Sequence, residues 1–355
     1  MNKLSILEEI VLYLINRYNG ERTIQGLTYL LKGKQSAQII QDSHFYHVTS
    51  FFGLFHFLTQ QNMQDLVNGL SEKGLLQQLE TNVYIVNEKG QFYLKNKTLQ
   101  FQNYTYLNGL KFFAIQKTFW KRFSLFFQSI ANLNNHNKYF KAVQQEPEIQ
   151  DWVKKELLNF VGTKESLIND YYLEIHKMLK KLSNDDASLF VMRLSGANSY
   201  GMTLEQIAAE MLLSEEAVYL QSINVMHHLL LLLSEQKTDY PLLSRFMQGA
   251  NNVNITTTSI ETKRLFLQGK TIEQIASIRN LKISTIEDHI VECVLSDEKF
   301  PIDQFINEDQ YIMTKEMIIE LNTRKLKTIK EALFNKVTYF QIRITLARMG
   351  DLKWN

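Results

Sequence analysis

Thr271-Ile272-Glu273-Gln274-Ile275-Ala276, continuing through Arg279-Asn280-Leu281-Lys282-Ile283 into Ser284-Thr285-Ile286-Glu287, repeats a pattern found 68 residues earlier as Thr203-Leu204-Glu205-Gln206-Ile207-Ala208. In each copy a threonine can accept from the backbone amide of the glutamine three residues on, and that glutamine can return the bond, so each copy opens a helix with a capping box. The pairs Ile275-Ala276 and Ile207-Ala208 set one bulky and one small residue on the same side, where a second helix can cross closely. In the later copy Ser284 and Glu287 form a further capping box, and Ile286, Ile290 and Val294 recur every fourth residue and face inward. In the earlier copy Met211-Leu212-Leu213 is the turn and Ser214 the next cap, with Ala217, Leu220 and Ile223 inward. Two capped helices about a short turn make a helix-turn-helix unit. The outward positions of the second helix are Thr285, Asp288, His289 and Glu292 in the later copy, and include Glu215, Glu216 and Tyr219 in the earlier one. Acids there repel phosphates, so docking to protein competes with insertion into a groove.

Towards the N-terminus, Leu4, Leu7, Val11, Leu14 and Ile15 fall at helical spacing and predict a helix ending near Asn19-Gly20. A second helix is expected over Thr23 to Leu31, stopped by Lys32-Gly33-Lys34, and a third over Gln35 to Gln41. The aromatic, histidine-rich run 44–55 connects these to a helix from Thr59 through Leu70, closed by Gly74. Leu75 to Leu79 and Val83 to Val86 read as two strands about Thr81-Asn82, and Asn87 can cap a last helix. Helices followed by a small hairpin make a winged helix. Residues 104–182 are helical and aromatic, with Phe112, Phe113, Phe119, Trp120, Phe123, Phe126 and Phe127 expected to pack a core rather than stack on bases. A loop is expected at 132–137, and the Asn- and Thr-rich 236–259 stretch is the candidate linker.

The composition supports this mainly α reading, with winged-helix and helix-turn-helix modules in a multi-domain helical protein bearing one small β-wing. The 355 residues are 45% hydrophobic, enough for two to four cores, and three prolines with 14 glycines do not furnish an all-β sandwich. One cysteine, Cys293, forms no intrachain disulfide and no cysteine zinc site, which points to a reducing cytoplasm. Glu8 and Glu9 interrupt any secretory signal, and the longest apolar run, Leu229 to Leu233, is too short for a bilayer span. Net charge is +2 but unevenly spread: residues 1–140 carry 14 Lys/Arg against 8 Asp/Glu, residues 141–254 carry 10 against 15, and residues 311–355 carry 9 against 4. Two basic segments flank an acidic middle, as suits weak phosphate-facing surfaces.

Residues 255–355 resemble the helix-turn-helix domain at the C-terminus of bacterial RecQ helicases, through Leu267-Gln268-Gly269-Lys270, Leu281 to His289 and Leu326-Lys327-Thr328-Ile329-Lys330-Glu331-Ala332-Leu333. Residues 24–94 resemble the winged-helix (RQC) domain of the same helicases at Leu30 to Gly33, at His47, Thr49, Phe52 and Gly53, and at Leu70 to Leu76. Residues 185–235 are similar to the DNA-binding end of sigma factors. The whole resembles the YpbB-like helix-turn-helix proteins of firmicutes, whose gene lies beside that of a RecQ helicase. The expected domains are therefore 1–98 (winged helix), 104–183 (helical), 184–240 (sigma-region-4-like) and 255–355 (helicase-associated).

The resemblance implies a non-catalytic DNA-binding or helicase-accessory role in repair or recombination, in the cytoplasm or at the nucleoid, with a RecQ-type helicase and DNA as partners. The alternatives are an interaction scaffold without DNA contact and a dimeric transcriptional regulator. The expected DNA contacts are Lys32, Lys34, His47, Thr49, Arg279, Lys282, Thr285, His289, Arg324, Lys325, Lys327 and Lys330, with Lys336, Arg343 and Arg348 completing the basic tail. The wing turn Glu80-Thr81-Asn82 lacks a base or an aromatic tip. Lys32-Gly33-Lys34-Gln35-Ser36 mimics the end of a phosphate loop but has Thr28 where the first glycine belongs and no preceding strand. Neither His44, His47 and His56 nor His227-His228 has the partners of a metal site, no G-x-S-x-G marks a nucleophile, and no cofactor or catalytic residue is expected.

Overall fold

Side-chain oxygens that accept from otherwise unpaired backbone amides decide where the helices begin. In the computed structural model, which describes residues 3–96, 99–137, 139–249 and 256–350, Ser5 and Glu8 close a capping box at the head of α1 (Ile6–Tyr18). Thr23 opens α2 (Ile24–Lys32), Ser36 opens α3 (Ala37–Phe45) and Thr59 opens α4 (Gln60–Glu72). Asn19 and Gly33 end the first two helices in left-handed conformations, at φ 43° and 73°. α3 continues four residues past the expected Gln41, because Asp42, Ser43 and Phe45 all go into the interior and nothing breaks the helix before Tyr46. The wing forms as expected: β1 (Leu76–Glu80) pairs antiparallel with β2 (Val83–Val86), Leu76 opposite Val86, about Asn82 at φ 62°. Asn87 Oδ1 accepts from Gly90 N at 3.1 Å at the head of α5 (Glu88–Asn96).

The chain divides into two compact units, one of residues 1–99, 109–111 and 252–355, the other of 100–108 and 112–251. The second unit holds α6 (Gly109–Asn134) from residue 112 onward, α7 (Pro147–Leu158), α8 (Lys164–Leu179), α9 (Asn184–Met192), α10 (Leu204–Met211) and α11 (Glu215–Glu235). Phe112, Phe119, Phe123 and Phe126 are buried with Tyr171, Phe190, Leu229, Leu230 and Phe246, so the aromatic run is core. Phe126 meets Phe246 edge-on at 5.1 Å. Two expected irregular stretches are more ordered than their composition suggests. The helix α6 runs on to Asn134 with Asn132 inside it, and Tyr240, Leu243 and Phe246 of the supposed linker are fully buried. Its residues 250–255 lie outside the described ones. Among the described residues α11 alone is long and apolar enough to cross a membrane by length and composition, and 61% of that apolar window is buried in the protein.

The C-terminal part of the first unit comprises α12 (Thr257–Leu267), α13 (Ile272–Arg279), α14 (Ile283–Ser296), α15 (Glu308–Leu321), α16 (Leu326–Ala332) and α17 (Tyr339–Met349). At its centre is α14, whose Ile286, Ile290, Val291, Cys293 and Val294 are shielded by α12, α13, α17 and α3 of the N-terminal segment. Burial pushes the Cys293 thiol up to about 12, so it is a core side chain, not a nucleophile. Among the described residues the protein is mainly α, with 17 helices and one two-stranded sheet.

Candidate nucleic-acid interface

Both threonine caps form as the sequence predicts: Thr203 with Gln206 at α10, and Thr271 with Gln274 at α13. The two copies share their turn as well, since Leu212 and Asn280, 68 residues apart, both adopt the left-handed conformation, at φ 54° and 50°. In the later copy the expected Ser284 cap does not form. Thr285 and Ile286 both donate to Lys282 O, at 3.0 and 3.2 Å, so α14 begins two residues earlier, with Lys282 at the cap, and Glu287 turns to Arg343 instead.

Of the residues expected to face outward from α14, Glu292 is buried and Thr285, Asp288 and His289 are half-buried. Glu292 is 3% exposed and accepts from Thr256 Oγ1 at 2.8 Å and from the Ser259 hydroxyl. Asp288 is held by Arg343. His289 lies 2.9 Å from Thr262 Oγ1 and 3.2 Å from the Arg279 guanidinium, and burial, then Arg279, holds its imidazole below the ordinary histidine range. Arg279 also donates to Thr258 O at 2.6 Å. Both acids are thus engaged by the protein's own side chains, Glu292 in the interior and Asp288 half-buried against Arg343. Thr285 is half-buried at the first turn of α14, beside the exposed Lys282, Ile283 and Ser284.

The basic tail divides. Arg324, 9% exposed, donates from Nε to Phe45 O at 2.7 Å and faces Tyr46, and burial lowers its pKa; Arg348 is bound to Phe300 O and Arg343 to the α14 acids. These three arginines tie the fold together and do not reach for phosphate. Lys325, Lys327 and Lys336 are exposed, while the Lys330 ammonium lies 4.6 Å over the Tyr339 ring. Elsewhere Lys32, Lys34 and Lys282 are exposed, Lys34 lying 3.9 Å over Tyr29. His47, at φ 54°, and Thr49 are half-buried in the aromatic connection. The structure brings together the ends of the first unit: Glu21 accepts from Tyr46 Oη at 2.7 Å, from Arg324 N at 3.0 Å and from the Thr323 hydroxyl.

Two features escaped the sequence reading. The wing is preceded by α4, which packs through Met63, Val67 and Leu70 and presents Gln61, Asp65, Asn68 and Ser71 to solvent with Gln64 beside them. Side-chain amides carry a donor and an acceptor together, the pattern that reads adenine in a major groove. The Gln-Gln-Asn-x-Gln run was the available signal. The second feature is apolar: Leu212 is 91% exposed in its left-handed turn, Leu213 follows it, and Ile278, Leu281 and Ile283 stand out at the equivalent turn of the later copy.

Residues 258–346 match a family described as a helix-turn-helix domain. Over 347 residues, 97% of this chain and 98% of the other, the protein is also 27% identical to Protein YpbB of Bacillus subtilis (strain 168), so the likeness to YpbB-like proteins holds along nearly the whole length. No solved structure matches the chain.

Proposed function

We propose that this protein is a non-catalytic DNA-binding protein of the cytoplasm or nucleoid that accompanies a RecQ-type helicase in repair or recombination. The observation that carries DNA binding is the helix-turn-helix domain over 258–346. Within the first unit α4 presents an exposed face of amides beside the wing, Gln61 bonded to Asp65 and Gln64 to Asn68, while Lys32, Lys34, Lys282, Lys325 and Lys327 supply phosphate contacts. The helicase partner rests on the likeness of 24–94 and 255–355 to modules of such helicases. Anisotropy titration of forked duplex DNA tests the reading. Affinity is expected to fall linearly on a log–log scale as salt rises, each Lys→Ala change at a true phosphate contact lowering the slope by about one. Binding that is absent, or indifferent to salt, overturns it.

A second reading, a scaffold that docks protein, is favoured by the covered α14 and by the exposed turn residues Leu212, Leu213, Leu281 and Ile283. Apolar side chains in a left-handed exposed turn carry a conformational cost that contact with a partner offsets. Copurification with a RecQ-type helicase after nuclease treatment, lost in Leu212→Asn with Ile283→Ser, supports the scaffold; retention in that variant removes it.

A further inference from the structure

A cleft of about 450 Å³ opens between α3, α14, α16 and α17, a size typical of small-ligand sites. Phe45, Leu326 and Tyr339 give it apolar and aromatic walls, and Lys327 stands at its edge, largely exposed, with only the loose 3.8 Å pairing to Glu331 on its own helix. Its other charged residues satisfy one another: Arg22 holds Asp42 through two bonds of 2.6 and 2.7 Å, and Arg343 holds Asp288. Gln41, which also lines it, is not satisfied. The residue is 4% exposed, and its Nε2 amide has no hydrogen-bond acceptor. A buried donor left unpaired is costly, and one that lines a cleft calls for an acceptor brought by a ligand. The requirements are then a flat apolar body to fill the space between the rings, an acceptor atom on its edge for Gln41, and an anionic group for Lys327. A simple anion fails the first, because the cleft surface is largely apolar and its arginines are already paired.

We propose that this cleft binds an unstacked nucleotide, its base against Phe45, Leu326 and Tyr339, a ring nitrogen or carbonyl accepting from Gln41 Nε2, and its phosphate meeting Lys327. The inference deepens the DNA-binding reading and rests on it for the expectation that the nucleotide belongs to a single strand; a free nucleotide has the same chemistry. Aromatic walls and an edge-reading amide are how proteins hold splayed bases.

The test uses the full chain with three probes: dAMP and deoxyadenosine by calorimetry, and a short single-stranded oligonucleotide by anisotropy. Gln41→Met keeps the side-chain length and removes the amide, and because it also removes an unpaired buried donor its melting temperature is expected to equal or exceed that of the parent. It should weaken dAMP and the oligonucleotide by roughly tenfold or more. Lys327→Ala, on the exposed surface, should weaken dAMP and leave deoxyadenosine unchanged. Loss in Gln41→Met with both dAMP and oligonucleotide supports a site open to free nucleotides; loss with the oligonucleotide alone supports a strand-borne base. The proposal is overturned if neither probe binds, or if both bind the parent and Gln41→Met alike. Forked duplex binding measured alongside separates the two ideas. If it persists while Gln41 proves irrelevant, the cleft inference falls alone; if it is absent while dAMP binds through Gln41, the DNA-binding reading falls and the cleft stands.

Discussion

His227 has no exposed surface, and its two ring nitrogens have different duties: Nδ1 accepts from Asn108 N at 3.0 Å, and Nε2 lies 2.9 Å from Gln116 Oε1. That pairing fixes a neutral ring with its proton on Nε2. Burial lowers the imidazole from 6.5 to about 3. The folded protein therefore declines a proton that the unfolded chain accepts, so the stabilisation is whole above pH 6.5 and is lost progressively as pH falls from there towards 3. Each unit of that interval corresponds to about 1.4 kcal/mol. Melting temperature should drop on acidification from pH 8 to 5, and His227→Gln should flatten the dependence; an unchanged slope would refute the assignment. Some slope should remain, since burial also lowers His228 and His289. None of this was legible at the sequence level, where His227-His228 is only a pair weighed as metal ligands. Its environment is made by residues more than 100 positions away.

Among the elements, the repeated hexapeptide announced both of its helices, because a capping box is a local device whose parts sit three residues apart. Thr271→Ala should cost about 1 kcal/mol in chemical denaturation, as should Thr203→Ala. Ser284→Ala should cost under about 0.5 kcal/mol, since the start of α14 is set by bonds to Lys282 O. A loss equal to that of Thr271→Ala would restore the serine to the capping role that its sequence suggests. Leu212→Gly relieves a left-handed leucine at a helix C-cap and should raise stability by about 0.5–1 kcal/mol, against a loss if its side chain packs on the protein's own surface. Helix periodicity also placed Ile286, Ile290 and Val294 inward correctly. It could not place Asp288, His289 and Glu292, because a pattern read on one helix shows one buried face, and α14 is covered on several.

For the molecule as a whole, the first unit is assembled from the two ends of the chain, and Arg324 and Glu21 lie where those ends meet. Scanning calorimetry should resolve two transitions. Arg324→Ala, which leaves the Phe45 carbonyl without its Nε donor while Glu21 keeps its bond from the backbone amide, should lower one of them by about 1–3 kcal/mol. Phe123→Ala, deep in the other unit's aromatic core, should lower the second by about 3–5 kcal/mol. If both changes shift a single shared transition, the units are not separate cooperative bodies. At this scale the sequence was least informative. Net charge by segment marked 311–355 as a basic surface, yet Arg324, Arg343 and Arg348 turn inward to Phe45, Asp288 and Phe300, partners that lie from 48 to 279 positions away. The Gln41 cleft was hidden for the same reason, as its walls come from both ends of the chain.

Building one unit from the two ends also has a consequence in time. On a ribosome the α3 surface that finally rests on α14 and α17 emerges early, and its covering helices follow only after about 240–290 further residues, which at roughly 5–20 residues per second is a delay on the order of 10–60 s. During that interval the second unit, wholly contained in the intervening sequence, has time to fold, while Phe45 and its neighbours wait exposed. A nascent chain paused between the two events presents a half-finished surface, which makes this stretch of synthesis the point where the protein most needs a chaperone.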